Sequence, residues 1–177
     1  VDTTGLKHAV ISGLTFRFTN AWWDYTYADW QHKEVDNAAI RLLGSSDDVR
    51  IANCRFEHVS KAVRVESINN RTHIGSVEVA DNDIRYTDDA AMTIAEGPGR
   101  LEDVRVMRNN LHEIGHRAFR QSDAHALAVS FPKTMEIAGN MLHRTYGAGI
   151  FLFGGKGSGQ PGDVGVRHVG PDVEQIR

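Results

Sequence analysis

Five eight-residue segments of one shape constrain this chain more than any other feature: residues 9–16 (AVISGLTF), 49–56 (VRIANCRF), 77–84 (VEVADNDI), 104–111 (VRVMRNNL) and 135–142 (MEIAGNML). Each alternates apolar and polar residues, turns near its sixth place and ends on a large apolar side chain. The terminal residues Phe16, Phe56, Ile84, Leu111 and Leu142 follow one another at intervals of 40, 28, 27 and 31 residues. A self-similar strand returning at such intervals marks a stacked repeat. Its units bury their apolar side against the next unit and not within themselves.

The intervals are too long for one short strand each, so a second strand is expected in every unit. Five apolar segments supply it: residues 39–43 (AIRLL), 62–66 (AVRVE), 91–95 (AMTIA), 126–130 (ALAVS) and 149–153 (GIFLF). Period-two alternation sends Ile40/Leu42, Val63/Val65, Met92/Ile94, Leu127/Val129 and Ile150/Leu152 to one face. Arg41, Arg64, Thr93, Ala128 and Phe151 fall on the other. The sixth place of the motif reads Leu14, Cys54, Asn82, Asn109, Asn140. An amide there can bond to the next unit's amide and to the turn backbone, and Asn tolerates a left-handed backbone. Cys54 and Leu14 would end such a ladder in an apolar stack. No window holds a 3.6-residue apolar rhythm, so a doubly wound α/β fold has no helices to draw on.

A chain of 177 residues with 41% hydrophobic and 24% charged residues is ordinary for one globular domain. With 20 basic against 23 acidic side chains, the formal charge of −3 supplies no field for nucleic acid or an anionic membrane. The single cysteine, Cys54, cannot staple the chain to itself. No run reaches membrane-spanning length. The chain starts in mid-pattern without Met, as a mature form or a piece of a longer repeat would.

The run I-x-G-L-T-F at residues 11–16, followed by VRIANCRF, VEVADNDI, VRVMRNNL and MEIAGNML, resembles the right-handed parallel β-helix family of secreted bacterial carbohydrate-active enzymes. More narrowly, GLTF with a Trp-rich insertion, AAIRLLG and then N-x-x-F resembles β-helix relatives of glycoside hydrolases. The resemblance spans residues 8–154. It implies an all-β solenoid of about five coils forming a single domain over residues 1–177, a polysaccharide or oligosaccharide as partner, and a secreted or periplasmic location. It does not select one chemistry, because the scaffold carries hydrolases, lyases, epimerases and inert spikes.

Three segments depart from the bare repeat. Residues 20–37 hold Trp22, Trp23 and Trp30 with Tyr25 and Tyr27, which read either as a stacking platform for sugar rings or as rings packed over the side of the solenoid. Residues 112–125 gather His112, Glu113, His116, Arg117, Arg120, Asp123 and His125. Residues 154–177 read as a loop and a last strand at 164–169.

The candidate acids are Asp88 and Asp89, just before one strand, Glu66 and Glu96, at the ends of neighbouring strands, and Asp123. A hydrolase needs two carboxylates roughly 5–5.5 Å apart for retention or 6.5–9.5 Å for inversion. A lyase on a uronate would instead use His116 or His125 as base and Arg117 or Arg120 on the carboxylate. Arg64 would line the same groove. Display of the Trp insertion for glycan attachment, without catalysis, is a third reading. No metal or cofactor is expected, although an oxygen-rich acidic cluster would suit structural calcium.

Overall fold

The computed structural model describes residues 2–3, 5–19, 38–95, 99–116, 124–130 and 133–153. These residues contain strands and no helix. In chain order the strands are β1 (Asp2–Thr3), β2 (Lys7–Ser12), β3 (Thr15–Thr19), β4 (Ile40–Leu42), β5 (Ser46–Ala52) and β6 (Arg55–Val59). There follow β7 (Val63–Glu66), β8 (His73–Ala80), β9 (Asp83–Thr87), β10 (Met92–Ala95), β11 (Arg100–Leu101) and β12 (Val104–Met107). The last are β13 (Asn110–Ile114), β14 (Leu127–Ser130), β15 (Met135–Ala138), β16 (Met141–Thr145) and β17 (Ile150–Phe153).

All pairings are parallel and form three sheets. The first runs β1-β4-β7-β10-β14-β17, the second β15-β12-β8-β5-β2 with β11 also on β8, and the third β16-β13-β9-β6-β3. From β2 onward the chain passes from the second sheet to the third to the first, and then repeats that circuit. Equivalent residues of successive circuits stand side by side, as in Met92 against Val63 and Leu127, or Val104 against Val77 and Met135.

Two strands per unit were expected, and three are found. The extra strand arises inside the repeated motif, which breaks at its fifth place: Gly13, Asn53, Asp81, Arg108 and Gly139 all have positive φ, between 53° and 70°. One left-handed residue turns the chain out of the second sheet and into the third. The left-handed site therefore falls one residue before the Asn position, which itself stays out of that region. A second left-handed row, Phe18, His58, Tyr86, Glu113 and Arg144, runs along the third sheet at φ 52–56°. Such a backbone costs a non-glycine residue about 1–2 kcal/mol, so its recurrence in every circuit marks it as part of the architecture.

The alternation sorts the faces as expected. Ile40, Leu42, Val63, Val65, Met92, Ile94, Leu127 and Val129 are buried in one core with Ile51, Val79, Val106, Phe56, Ile84 and Leu111. Ile150 and Leu152 lie on the same face but remain 36% and 46% exposed, because β17 is the end strand of its sheet. Phe16 stacks on Phe56 with ring centres 4.9 Å apart.

The amide ladder is present. Asn82 Nδ2 donates to Asn109 Oδ1 and Asn109 Nδ2 to Asn140 Oδ1, both at 2.9 Å. Each amide also donates to a carbonyl of the preceding circuit: Ile51, Val79 and Val106. Cys54 closes the ladder through its backbone N–H on Asn82 Oδ1. Leu14 lies beyond that end and is 48% exposed, so it does not extend a buried stack.

Charged side chains repeat outside. On the third sheet Glu57 is bonded by Arg17 at 2.6 Å and approached by Arg85 at 3.2 Å, and Glu113 meets Arg144 at 2.6 Å. At the bend between the second and third sheets, Arg108 holds Asp81 at 2.7 Å. The hydrogen bonds from Arg17, Arg108 and Arg144 hold the pKa values of Glu57, Asp81 and Glu113 below the ordinary carboxylate range. A carboxylate whose folded pKa is depressed adds stability that is complete above its unfolded pKa and is lost as pH falls through the folded one. Thermal unfolding midpoints should therefore begin to drop as pH falls below about 4.5. The decline should be shallower in an E57Q/E113Q variant, and an equal slope would show that these pairs do not couple to folding.

Candidate functional site

Buried polar side chains concentrate where the third sheet hands the chain to the first. Three such corners lie next to one another: between β6 and β7, between β9 and β10, and between β13 and β14. The first carries Ser60 and Lys61, the second Asp88 and Asp89, and the third Gly115, Ala124 and His125. Relative exposures are 1% for Ser60, 7% for Lys61, 5% for Asp88, 1% for Asp89 and 7% for His125. Backbone bonds fasten the corners together, with Asp88 N donating to Val59 O, Asp89 N to Ser60 O, and Gly115 N to Thr87 O.

Lys61 Nζ lies 3.2 Å from Asp89 Oδ2, and both side chains are almost wholly removed from solvent. Burying two charges costs several kcal/mol per ion before their attraction offsets it. The loop backbone of Asp89 is held from the other side by the Thr87 hydroxyl, which donates to Asp89 O. Gly115 is required where it stands: at φ +83° a Cβ there would lie 2.7 Å from the Ala124 Cβ. This contact closes the third corner on itself, and the Gly115 N–H bond to Thr87 O ties it to the second.

His125 stacks on Phe151 with ring centres 4.5 Å apart and planes 6° from parallel. Its Nδ1 accepts the backbone N–H of Ala148 at 3.0 Å. Its Nε2 is buried without a hydrogen-bond partner.

Of the expected residues, Asp88, Asp89 and His125 meet at these corners. Arg64 and Glu66 are elsewhere. They form their own ion pair on the outer face of β7, with Arg64 Nε 2.9 Å from Glu66 Oε2. Glu66 sits in register with Ala95, at the opposite end of the first-sheet strands from the corner of Asp88 and Asp89. His116 faces the third-sheet side, with Nε2 3.4 Å from Glu113 Oε2 and its ring 5.0 Å from that of Tyr146. Glu96, Asp123, Arg117, Arg120, Trp22, Trp23 and Trp30 lie outside the described residues. Among the described residues no three His, Cys, Asp or Glu side chains gather as metal ligands would.

Two features went unread in the sequence. Lys61 precedes its strand at nearly the offset of Asp89, and only the register across circuits pairs them. Along the third sheet the rings of Phe18, His58 and Tyr86 stack at 5.7 and 4.9 Å, and Tyr86 approaches His116 at 6.2 Å. The signal was available: Phe18, His58 and Tyr86 each stand two places beyond the apolar end of the motif. Stacking turns the faces of these rings toward one another, so the row stabilises the left-handed positions it occupies and offers mainly ring edges to solvent.

No family model, curated protein or solved structure matches the chain.

Proposed function

We propose that the chain is a right-handed parallel β-helix acting on a polysaccharide or oligosaccharide as a glycoside hydrolase, with Asp88 and Asp89 as its carboxylates. The unvarying circuit through three parallel sheets supports the solenoid. The hydrolase reading is carried by one observation: two adjacent acids are buried at 5% and 1% exposure in one corner, with the Lys61 ammonium of the neighbouring corner 3.2 Å from Asp89. Burying two acids side by side opposes folding. Lys61 beside Asp89 favours the ionised form that a nucleophile or base needs. Asp88, which donates its backbone N–H to Val59 O, is then the acid for the leaving oxygen.

The test is turnover of a panel of neutral and uronate-containing polysaccharides, read by reducing-end release, for the unaltered protein and for D88N and D89N. Each substitution should lower kcat/KM about a hundredfold, the scale of a positioned acid or base, without loss of folded structure. Undiminished rates in both variants would remove the pair from the mechanism. Release of an unsaturated, ultraviolet-absorbing product would identify elimination instead, and retention of glycan without turnover would identify a binding module.

A further inference from the structure

The corner site contains a group whose protonation is dictated by its surroundings. A backbone amide can only donate, so the Ala148 N–H at 3.0 Å requires an unprotonated Nδ1 on His125. The neutral ring therefore carries its proton on Nε2. Three contacts hold the ring in this state. Phe151 covers one face at 4.5 Å. Gly147 N donates to Ala124 O at 2.9 Å, which fixes the adjoining backbone. A Cβ on Gly147 would stand 2.7 Å from Ala124 O and 3.0 Å from His125 Nδ1, so only glycine allows this approach.

The bonds made by the two nitrogens of an imidazole diverge across the ring. With Nδ1 taken by the Ala148 N–H, Nε2–H lies on the opposite edge of the ring. Extending the register of Met92 with Leu127 places Ala90 opposite His125, next to Asp89 and the Lys61 ammonium. Nε2 is buried and has no hydrogen-bond partner. Native proteins seldom leave a buried donor unmade, because the stranded group costs about 1–3 kcal/mol.

We infer that His125 is a substrate-binding hydrogen-bond donor: its neutral Nε2–H is taken up by a hydroxyl, ring or carboxylate oxygen of the glycan bound at these corners. It does not serve as a proton-abstracting base, because its one unprotonated nitrogen is occupied by the Ala148 amide. The inference rests on the glycan-acting reading for the identity of the acceptor, and on the corner geometry alone for the tautomer.

Two measurements separate these dependences. A long-range proton–nitrogen spectrum of histidine-labelled protein at pH 8, without ligand, should show His125 as the Nε2–H form. An Nδ1–H form would overturn the inference whatever the protein acts on. Xylan and polygalacturonate fragments are then added in turn. The fragment that is degraded should move the His125 Nε2–H resonance, and H125N should lower kcat/KM for it about tenfold. Asn keeps an acceptor for the Ala148 N–H but does not reach the Nε2 position. H125Q, whose amide nitrogen reaches that position, should recover most of the loss. Wild-type turnover by a folded H125N would overturn the donor role. Degradation of neither fragment and of no other panel polysaccharide, with the Nε2–H tautomer observed, would discard the glycan and leave the fixed donor standing.

Discussion

Truncating Asn109 to alanine lowers the unfolding free energy by about 4 kcal/mol, the largest stability loss expected from a single amide in this chain. Asn109 is 1% exposed and sits in the middle of the ladder. Its Oδ1 accepts both the backbone N–H of Asn82, at 3.1 Å, and Asn82 Nδ2, at 2.9 Å. Its Nδ2 donates to Val79 O and to Asn140 Oδ1, each at 2.9 Å. Alanine removes all four bonds and leaves the Asn82 N–H without that acceptor inside a core too tight to admit a replacement. At about 1–3 kcal/mol for each buried group left unmade, two such groups account for the figure. N140A should lose about half as much, because Asn140 is only partly buried. Urea denaturation at constant slope measures both. A loss below about 1 kcal/mol for N109A, equal to that of N140A, would show that the ladder records the fold without supporting it.

The same ladder shows which parts of the architecture a sequence exposes. The inward faces were legible because burial admits only apolar residues at Val63, Met92 or Leu127, and a strand places them at every second position. Asn82, Asn109 and Asn140 were legible for a related reason, since a polar group at a fixed inward site must be satisfied by its own copies. The third strand was hidden. The residues that bend the chain into it include Arg108, whose side chain points to no turn, and only Gly13, Asn53, Asp81 and Gly139 hint at a left-handed backbone.

The site was half legible for a comparable reason. Acids and histidines advertise chemistry by type, and this brought Asp88, Asp89 and His125 forward. Type does not reveal level along a strand, so it does not separate Glu66, at the end of β7, from the acids of the corner. Lys61 was passed over because its meaning lies in a partner 28 positions later, and chain order does not show that pairing.

Replacing Lys61 with methionine is expected to cost 3–5 kcal/mol, since it leaves the Asp89 carboxylate buried without its cation. D89L strands the ammonium in turn and should cost a similar amount. The double variant K61M/D89L should recover most of both losses, because a buried ion pair exchanged for apolar side chains of similar size is often neutral or stabilising. The coupling read from such a cycle should exceed about 2 kcal/mol, as expected for groups 3.2 Å apart that are both nearly inaccessible to water. A double variant as unstable as either single one would mean that the corner needs the charges for packing. If it is stable and fails to turn over glycan, the charges are dispensable to the fold and required by the chemistry. A stable double variant that still hydrolyses its substrate would move the active centre away from Asp89, because no carboxylate would remain at that position to act.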